Sequence, residues 1–305
     1  QIEQRTTFIH ADDFGITPGQ AKAIYRLALP AAVAERKFSA FYEAASLAQP
    51  YVRRGVLRVC LHLNLVEGPS VADPKRIPLL VNERGMFDNN FMGLFKLGVT
   101  NKGEAFNQLV IECRSQIQHF LSAFPDQQLS FQLDSHQHVH AVPIVYRALA
   151  QALAKETWLA LREPIDPLPL YRTCIEGDSK ESAGSSTPQA RNTPTRIPMV
   201  NRAKIFLISA LWRKCSVNDI PWAPNRPASA PLFSGVALSG RMDEFSKPLL
   251  ASFQHEATRQ NRDVEILFHP ISVPIEKCLA PLNKPFAEAC ASVSRNHEAE
   301  LIRKL

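Results

Sequence analysis

Two rhythms of hydrophobic positions run along this chain. Short apolar runs with a period of two alternate with longer stretches whose apolar residues return every three to four positions. Residues 6–10 read as a short strand that ends in the turn Ala11-Asp12-Asp13-Phe14-Gly15. Thr17 as a cap, with Pro18 in the first turn, opens a helix that runs to about position 28. Residues 31–55 read as a strand or helix remnant followed by a helix that ends at Gly55. Residues 56–65 form a second strand, where Leu61, Leu63 and Leu65 alternate with His62 and Asn64.

Residues 69–100 are rich in Pro, Gly and Asn and read as a long excursion with a hairpin near 82–85. Residues 101–124 give the clearest helix. Phe106, Leu109, Val110, Cys113, Ile117, Phe120 and Leu121 share a face, Asn101 and Glu104 have capping-box spacing, and Pro125 stops the helix. An extended segment at 131–140, a helix from Pro143 to about 153 and a strand at 159–164 follow. Ser, Thr, Pro, Gly and Arg dominate 172–200, which reads as a flexible loop. A helix at 203–214, a Pro-rich stretch at 218–234, a helix at 243–262, a strand at 264–269 and a closing helix within 286–305 complete the pattern. Strands alternating with helices predict an α/β fold with parallel strands, and no repeat or linker divides residues 1–305.

Composition narrows the function classes. Of the 305 residues, 45% are hydrophobic and 21% charged, the balance of a globular protein. The net charge of +6 is scattered in pairs such as Arg53-Arg54 and Arg213-Lys214, without a basic stripe, which argues against nucleic-acid binding. The longest apolar run, 205–212, is too short to span a bilayer. Six cysteines at irregular gaps read as reduced thiols; with no signal-peptide pattern, a cytoplasmic location is expected. Enzymes of this size often form symmetric dimers, so a homodimer is expected as well.

The candidate chemistry centres on Leu133-Asp134-Ser135-His136-Gln137-His138-Val139-His140. If this segment is extended, Asp134, His136, His138 and His140 share one face. Asp13, His62 and His136 each lie on or just after a predicted strand, where α/β enzymes keep their sites. Two histidines and a carboxylate make a divalent-metal set that leaves room for water and substrate. Asp12 can then take a proton from the activated water, and His269, ending the last strand, can aid a leaving group or an oxyanion. Singly, Asp12-Asp13 also fits a solvated turn, His62 a core histidine, His269 simple strand termination and Arg162 a surface ion pair.

Three blocks resemble the signature of the YdjC-like carbohydrate deacetylases, a group that includes chitooligosaccharide and hopanoid-associated deacetylases. They are His10-Ala11-Asp12-Asp13-Phe14-Gly15, Leu61-His62-Leu63-Asn64-Leu65-Val66-Glu67-Gly68, and the histidine-rich segment. The resemblance implies a distorted (β/α) barrel related to polysaccharide deacetylases, and removal of N-acetyl groups from an amino sugar or short oligosaccharide. By it, Asp12 matches the catalytic base, and Asp13, His62 and His136 match the ligands of one magnesium or zinc ion. His269 would assist the leaving amine. Asp134, His138, His140, Asn64 and Arg162 would support the ligands or the substrate. The chain departs from the family where His269-Pro270-Ile271 replaces the usual His-Pro-Gly, at Arg36-Lys37-Phe38-Ser39-Ala40-Phe41, and at 172–200. The same constellation also suits a sugar phosphoesterase or a non-catalytic sugar-binding relative.

Overall fold

The structure is a computed structural model that describes residues 5–13, 48–49, 52–53, 59–125, 131–156, 158–171, 196–215, 230–270, 272, 274 and 284–305. The helix expected after Thr17 and the Arg36–Phe41 segment lie outside them, as do most of 31–58, the loop residues 172–195 and the thiols Cys174 and Cys278. Among the described residues, Cys60 and Cys113 carry free thiols, as expected.

Six strands are described: β1 (Thr7–Ala11), β2 (Cys60–Leu63), β3 (Phe131–Ser135), β4 (Trp158–Leu161), β5 (Leu232–Ser234) and β6 (Val264–Phe268). All pairings are parallel. The described strands make two three-stranded sheets, β5-β6-β1 and β2-β3-β4, and the described residues do not close a barrel. The barrel expectation is therefore met only at the coarser level of a parallel α/β fold.

The helices are α1 (Phe91–Thr100), α2 (Lys102–Ala123), α3 (Pro143–Leu153), α4 (Met199–Trp212), α5 (Lys247–Gln260), α6 (Lys284–Cys290) and α7 (Ser294–Ile302). Each sheet has its own apolar core. Leu61, Leu63 and Leu133 pack with Leu109, Val145 and Leu149 on one side; Phe233, Ile266 and Phe268 pack with Leu249 and Phe253 on the other. Burial of these faces is the main drive to fold. The polar strand faces are left to meet between the sheets, and that seam holds the site.

Helix α2 adds a buried polar row that the apolar pattern did not show. Gln108, Glu112 and Gln116 recur every four residues. Glu112 accepts from the Val71 and Ala72 amides, and Gln108 accepts from the Leu79 amide. Gln116 accepts from the Asn64 amide at 3.0 Å. These bonds pin the long excursion beside the end of β2. The excursion contains the expected turn, where the Gly85 amide donates to the Asn82 carbonyl and Gly85 has φ +71°.

Several expectations need correction. Residues 91–100 form α1, not loop, because the Asn90 side chain accepts from the Gly93 amide and the Leu94 face is buried. Asn101 makes no side-chain cap. The 243–262 helix starts only at Lys247, after a short 3-10 turn at Met242–Glu244, and the tail is two helices. The largest change concerns 131–140. Only Phe131–Ser135 is strand; His136–Ala141 winds into 3-10 turns, with Gln137 and His138 left-handed at φ 52° and 56°. The two-residue alternation stops at Ser135, so the three histidines do not share a face.

Candidate metal centre

Three residues reach the centre from two sheets. Asp13 follows β1 in a left-handed conformation, φ 68°, which Asp tolerates better than most residues. His62 is the third residue of β2 and pairs in register with Asp134 of β3. His136 opens the turn after β3. One ligand atom from each of Asp13, His62 and His136 lies within 4.8 Å of the others. Asp13 Oδ1 is 3.0 Å from His136 Nδ1 and 3.7 Å from His62 Nε2. The two imidazoles meet edge to face, their centroids 5.6 Å apart.

A divalent ion fits this set on its chemistry. Asp13 Oδ1 and His62 Nε2 are buried and make no well-formed hydrogen bond, a state that is costly unless a cation or donor is supplied. Two further groups, His10–Cys60–Asp134 and Asp12–His62–Asp134, are as close. Their atoms are already engaged: His62 Nδ1 bonds Asp134 Oδ1, and both His10 nitrogens face carboxylates. Burial, with Asp134 beside it, pushes the Cys60 thiol well up, which keeps it protonated and a poor ligand.

Behind the centre lies a buried ionic network. Arg162, just beyond β4, donates from Nη1 to Asp12 Oδ2 at 3.1 Å and from Nη2 to Asp12 Oδ1 at 3.0 Å. It donates from Nε to Glu265 Oε1 at 2.8 Å, and Nη2 is 2.8 Å from Asp134 Oδ2. His10 stands between Asp134, at 3.1 Å, and Glu265, at 3.0 Å. Burial and the Arg162 cation oppose a proton on His10, but Asp134 and Glu265 outweigh them and hold its pKa at about 9. Burial also opposes ionising Asp134 and Asp13. Arg162, His62 and His10 hold Asp134 well below the usual carboxylate range, and His136, His62 and His269 do the same for Asp13.

The other expected residues divide by environment. His269 directly follows β6, whose Phe268 carbonyl accepts from the Asp12 amide, so it neighbours the candidate base. Burial holds His269 neutral, with a pKa of about 4, although Asp13 pulls the other way. His140 is fully buried and bonds Ser135 and the Arg162 carbonyl, which fixes the end of β4. His138 turns toward Phe233, with centroids 5.6 Å apart, and burial keeps it neutral. Asn64 organises its own loop: its Oδ1 accepts from the Val66 and Glu67 amides.

Four residues of the site were not singled out in the sequence. His10 lies on β1 two positions before Asp12, and Glu265 is a charge inside an apolar strand; either pattern could have flagged them. Arg295 and Glu298 come from α7. Arg295 Nη1 donates to Asp13 Oδ2 at 3.4 Å, and Glu298 Oε2 accepts from the His269 amide at 2.7 Å. Burial raises the Glu298 pKa to about 7.

Fold and site together define a parallel α/β protein with a buried histidine–carboxylate centre at the carboxyl ends of its strands. A family model described as YdjC-like protein matches residues 7–303, and the chain belongs to that family. Relatives named carbohydrate deacetylase match over part of the chain. The Xenopus laevis protein is 30% identical over 54% of this chain and 52% of its own length; the human protein is 26% identical over 58% and 57%. The chain thus spans about half the length of the curated relatives it matches. A crystal structure from Enterococcus faecalis, bearing the provisional name of a cellobiose-phosphate cleavage protein, superposes with a TM-score of 0.50. It covers 98% of this chain and 95% of its own at 16% identity, a likeness of fold.

Proposed function

We propose that this protein is a metal-dependent hydrolase that removes N-acetyl groups from an amino sugar or short oligosaccharide. The observation that carries the reading is the convergence of Asp13, His62 and His136 on one buried point beside Asp12. The relatives named carbohydrate deacetylase favour the acetyl group as the one removed.

Asp13, His62 and His136 would hold the ion. Two imidazoles and one carboxylate suit zinc or a similar borderline metal better than magnesium, which prefers oxygen ligands. When bound, such an ion supplies Lewis-acid polarisation of the acetyl carbonyl and makes water more acidic. Asp12 is the base. Arg162 occupies one lone pair on each Asp12 oxygen and fixes the plane of the carboxylate, leaving lone pairs to accept the proton of the attacking water. Asp134 fixes the His62 tautomer through Nδ1 and leaves Nε2 toward the centre. A neutral His269 hydrogen-bonds the developing oxyanion or the departing amine, and the proton held by Asp12 returns to nitrogen.

The same reading takes the two sheets as arcs of one distorted barrel in a single domain. Both sheets follow cyclic chain order, β5-β6-β1 and β2-β3-β4. The seams fall between β1 and β2 and between β4 and β5, where the chain passes through residues outside those described. Arg162, through Glu265, and His10, through Asp134, join the polar faces across the sheets.

A screen of acetate release against mono- to oligomeric N-acetylated sugars tests the function. Acetate and a free amine in equal amounts are expected. Release of phosphate from sugar phosphates, with none of acetate, would replace the proposal with a phosphoesterase.

A further inference from the structure

We infer that α4 is an interfacial helix that seats this protein on an anionic lipid bilayer. Its inward side, Asn201, Ile205, Ile208 and Leu211, is buried, and Asn201 is anchored by donating to the Ala237 and Ser239 carbonyls. Its outward side is apolar as well. Met199 is 73% exposed, Val200 61% and Phe206 78%, and Leu207 stands beside them. With Ala203 and Ala210 between them, these side chains form one continuous stripe at helical spacing.

Cations border the stripe. At 100° per residue, Arg202 and Arg213 fall on one side of it and Lys204 on the other, with Arg196 before the helix and Lys214 after it. All five are exposed, none is ion-paired to another described residue, and residues 196–215 contain no Asp or Glu. An outward apolar stripe between rows of Lys and Arg is the pattern of a helix lying in the headgroup region of a membrane. The long cationic side chains can reach phosphates while the stripe enters the acyl boundary. At 14 residues, α4 is too short to cross a bilayer, and no described helix is long and apolar enough to do so.

The charge pattern favours lipid over a second copy of this chain. A two-fold contact through α4 would set the same cations against one another, with no carboxylate within residues 196–215 to pair with them. An anionic surface complements both the stripe and its borders. Helix α4 also lies against the turn that carries His140, with the Trp212 and His140 centroids 5.6 Å apart. Docking through α4 would therefore hold the catalytic segment close to the membrane plane.

Flotation of the full chain with vesicles tests the inference. The protein is expected to rise with phosphatidylcholine–phosphatidylglycerol vesicles, to stay down with phosphatidylcholine alone, and to be released by high salt. Met199→Ser combined with Phe206→Ser should abolish flotation. Lys204→Gln combined with Arg213→Gln should weaken partitioning about thirtyfold, each cation near an anionic surface being worth about fivefold. These side chains face solvent, so the thermal transition should stay put in both variants. Equal flotation with neutral vesicles, or none with either, overturns the inference. So does a lipid-free dimer in sedimentation equilibrium that Phe206→Ser dissociates, because the stripe would then belong to a second copy.

Discussion

Arg295 Nη1 stands 3.4 Å from Asp13 Oδ2, joining the last helix to the end of the first strand across 282 residues. Asp13 is buried and ionised, and this guanidinium compensates the carboxylate from the side opposite His62 and His136. Arg295→Met should destabilise the metal-free protein by on the order of 1.5 kcal/mol, the low end for a hydrogen bond to a charged group, because Asp13 loses one partner and keeps His62 and His136. A bound divalent ion takes over part of that compensation. Calorimetry should therefore show a larger zinc-dependent rise in Tm for the variant than for the parent. Equal rises would mean that Arg295 does not serve Asp13.

Asp134 bonds His62 Nδ1 and leaves Nε2 to the centre. Asp134→Asn keeps the shape but weakens the hold on the tautomer. Metal affinity, read by competition with a chelating dye, should fall about 10- to 100-fold. Unchanged affinity would show that the ring is oriented by other contacts.

Asp12 is held by Arg162 and lies outside the proposed ligand set Asp13, His62 and His136. Asp12→Asn should retain metal in the purified protein while turnover falls about a hundred- to ten-thousandfold, the range of a lost general base. A variant that deacetylates at the parent's rate removes Asp12 from that role.

His140 sets a pH dependence of stability. Burial, then the Arg162 cation, lowers its pKa from 6.5 to about 4. Its folded value lies below its unfolded one, so its contribution is complete above pH 6.5 and is lost as pH falls toward 4. The full difference is on the order of 3 kcal/mol. Urea unfolding of the parent and of His140→Gln across that window should give curves that converge toward the acid side. Parallel curves would contradict the assignment.

The sequence shows the parallel α/β class because β1, β2, β4 and β6 carry apolar runs bounded by turn residues, and α2 and α3 have clean helical spacing. It also brings Asp13, His62 and His136 together, since each sits at a strand end. What it conceals is tertiary. His138 and His140 have the same two-residue spacing as Asp134 and His136, yet the left-handed Gln137 and His138 send them to Phe233 and to the Arg162 carbonyl. Arg295 and Glu298 have the i, i+3 spacing of an ordinary helix, and only the docking of α7 turns them toward Asp13 and His269. Residues 91–100 looked like loop because Gly93 and Gly98 dilute their apolar pattern; the Asn90 cap and burial of Leu94 decide for helix.

The most direct measurement follows metal content and acetate release on one preparation, as purified, after chelation, and after zinc is restored. A centre built by Asp13, His62 and His136 predicts about one ion per chain, loss of acetate release with the ion, and recovery of both on reloading. Acetate release that persists in the fully chelated protein would contradict a metal-dependent deacetylase.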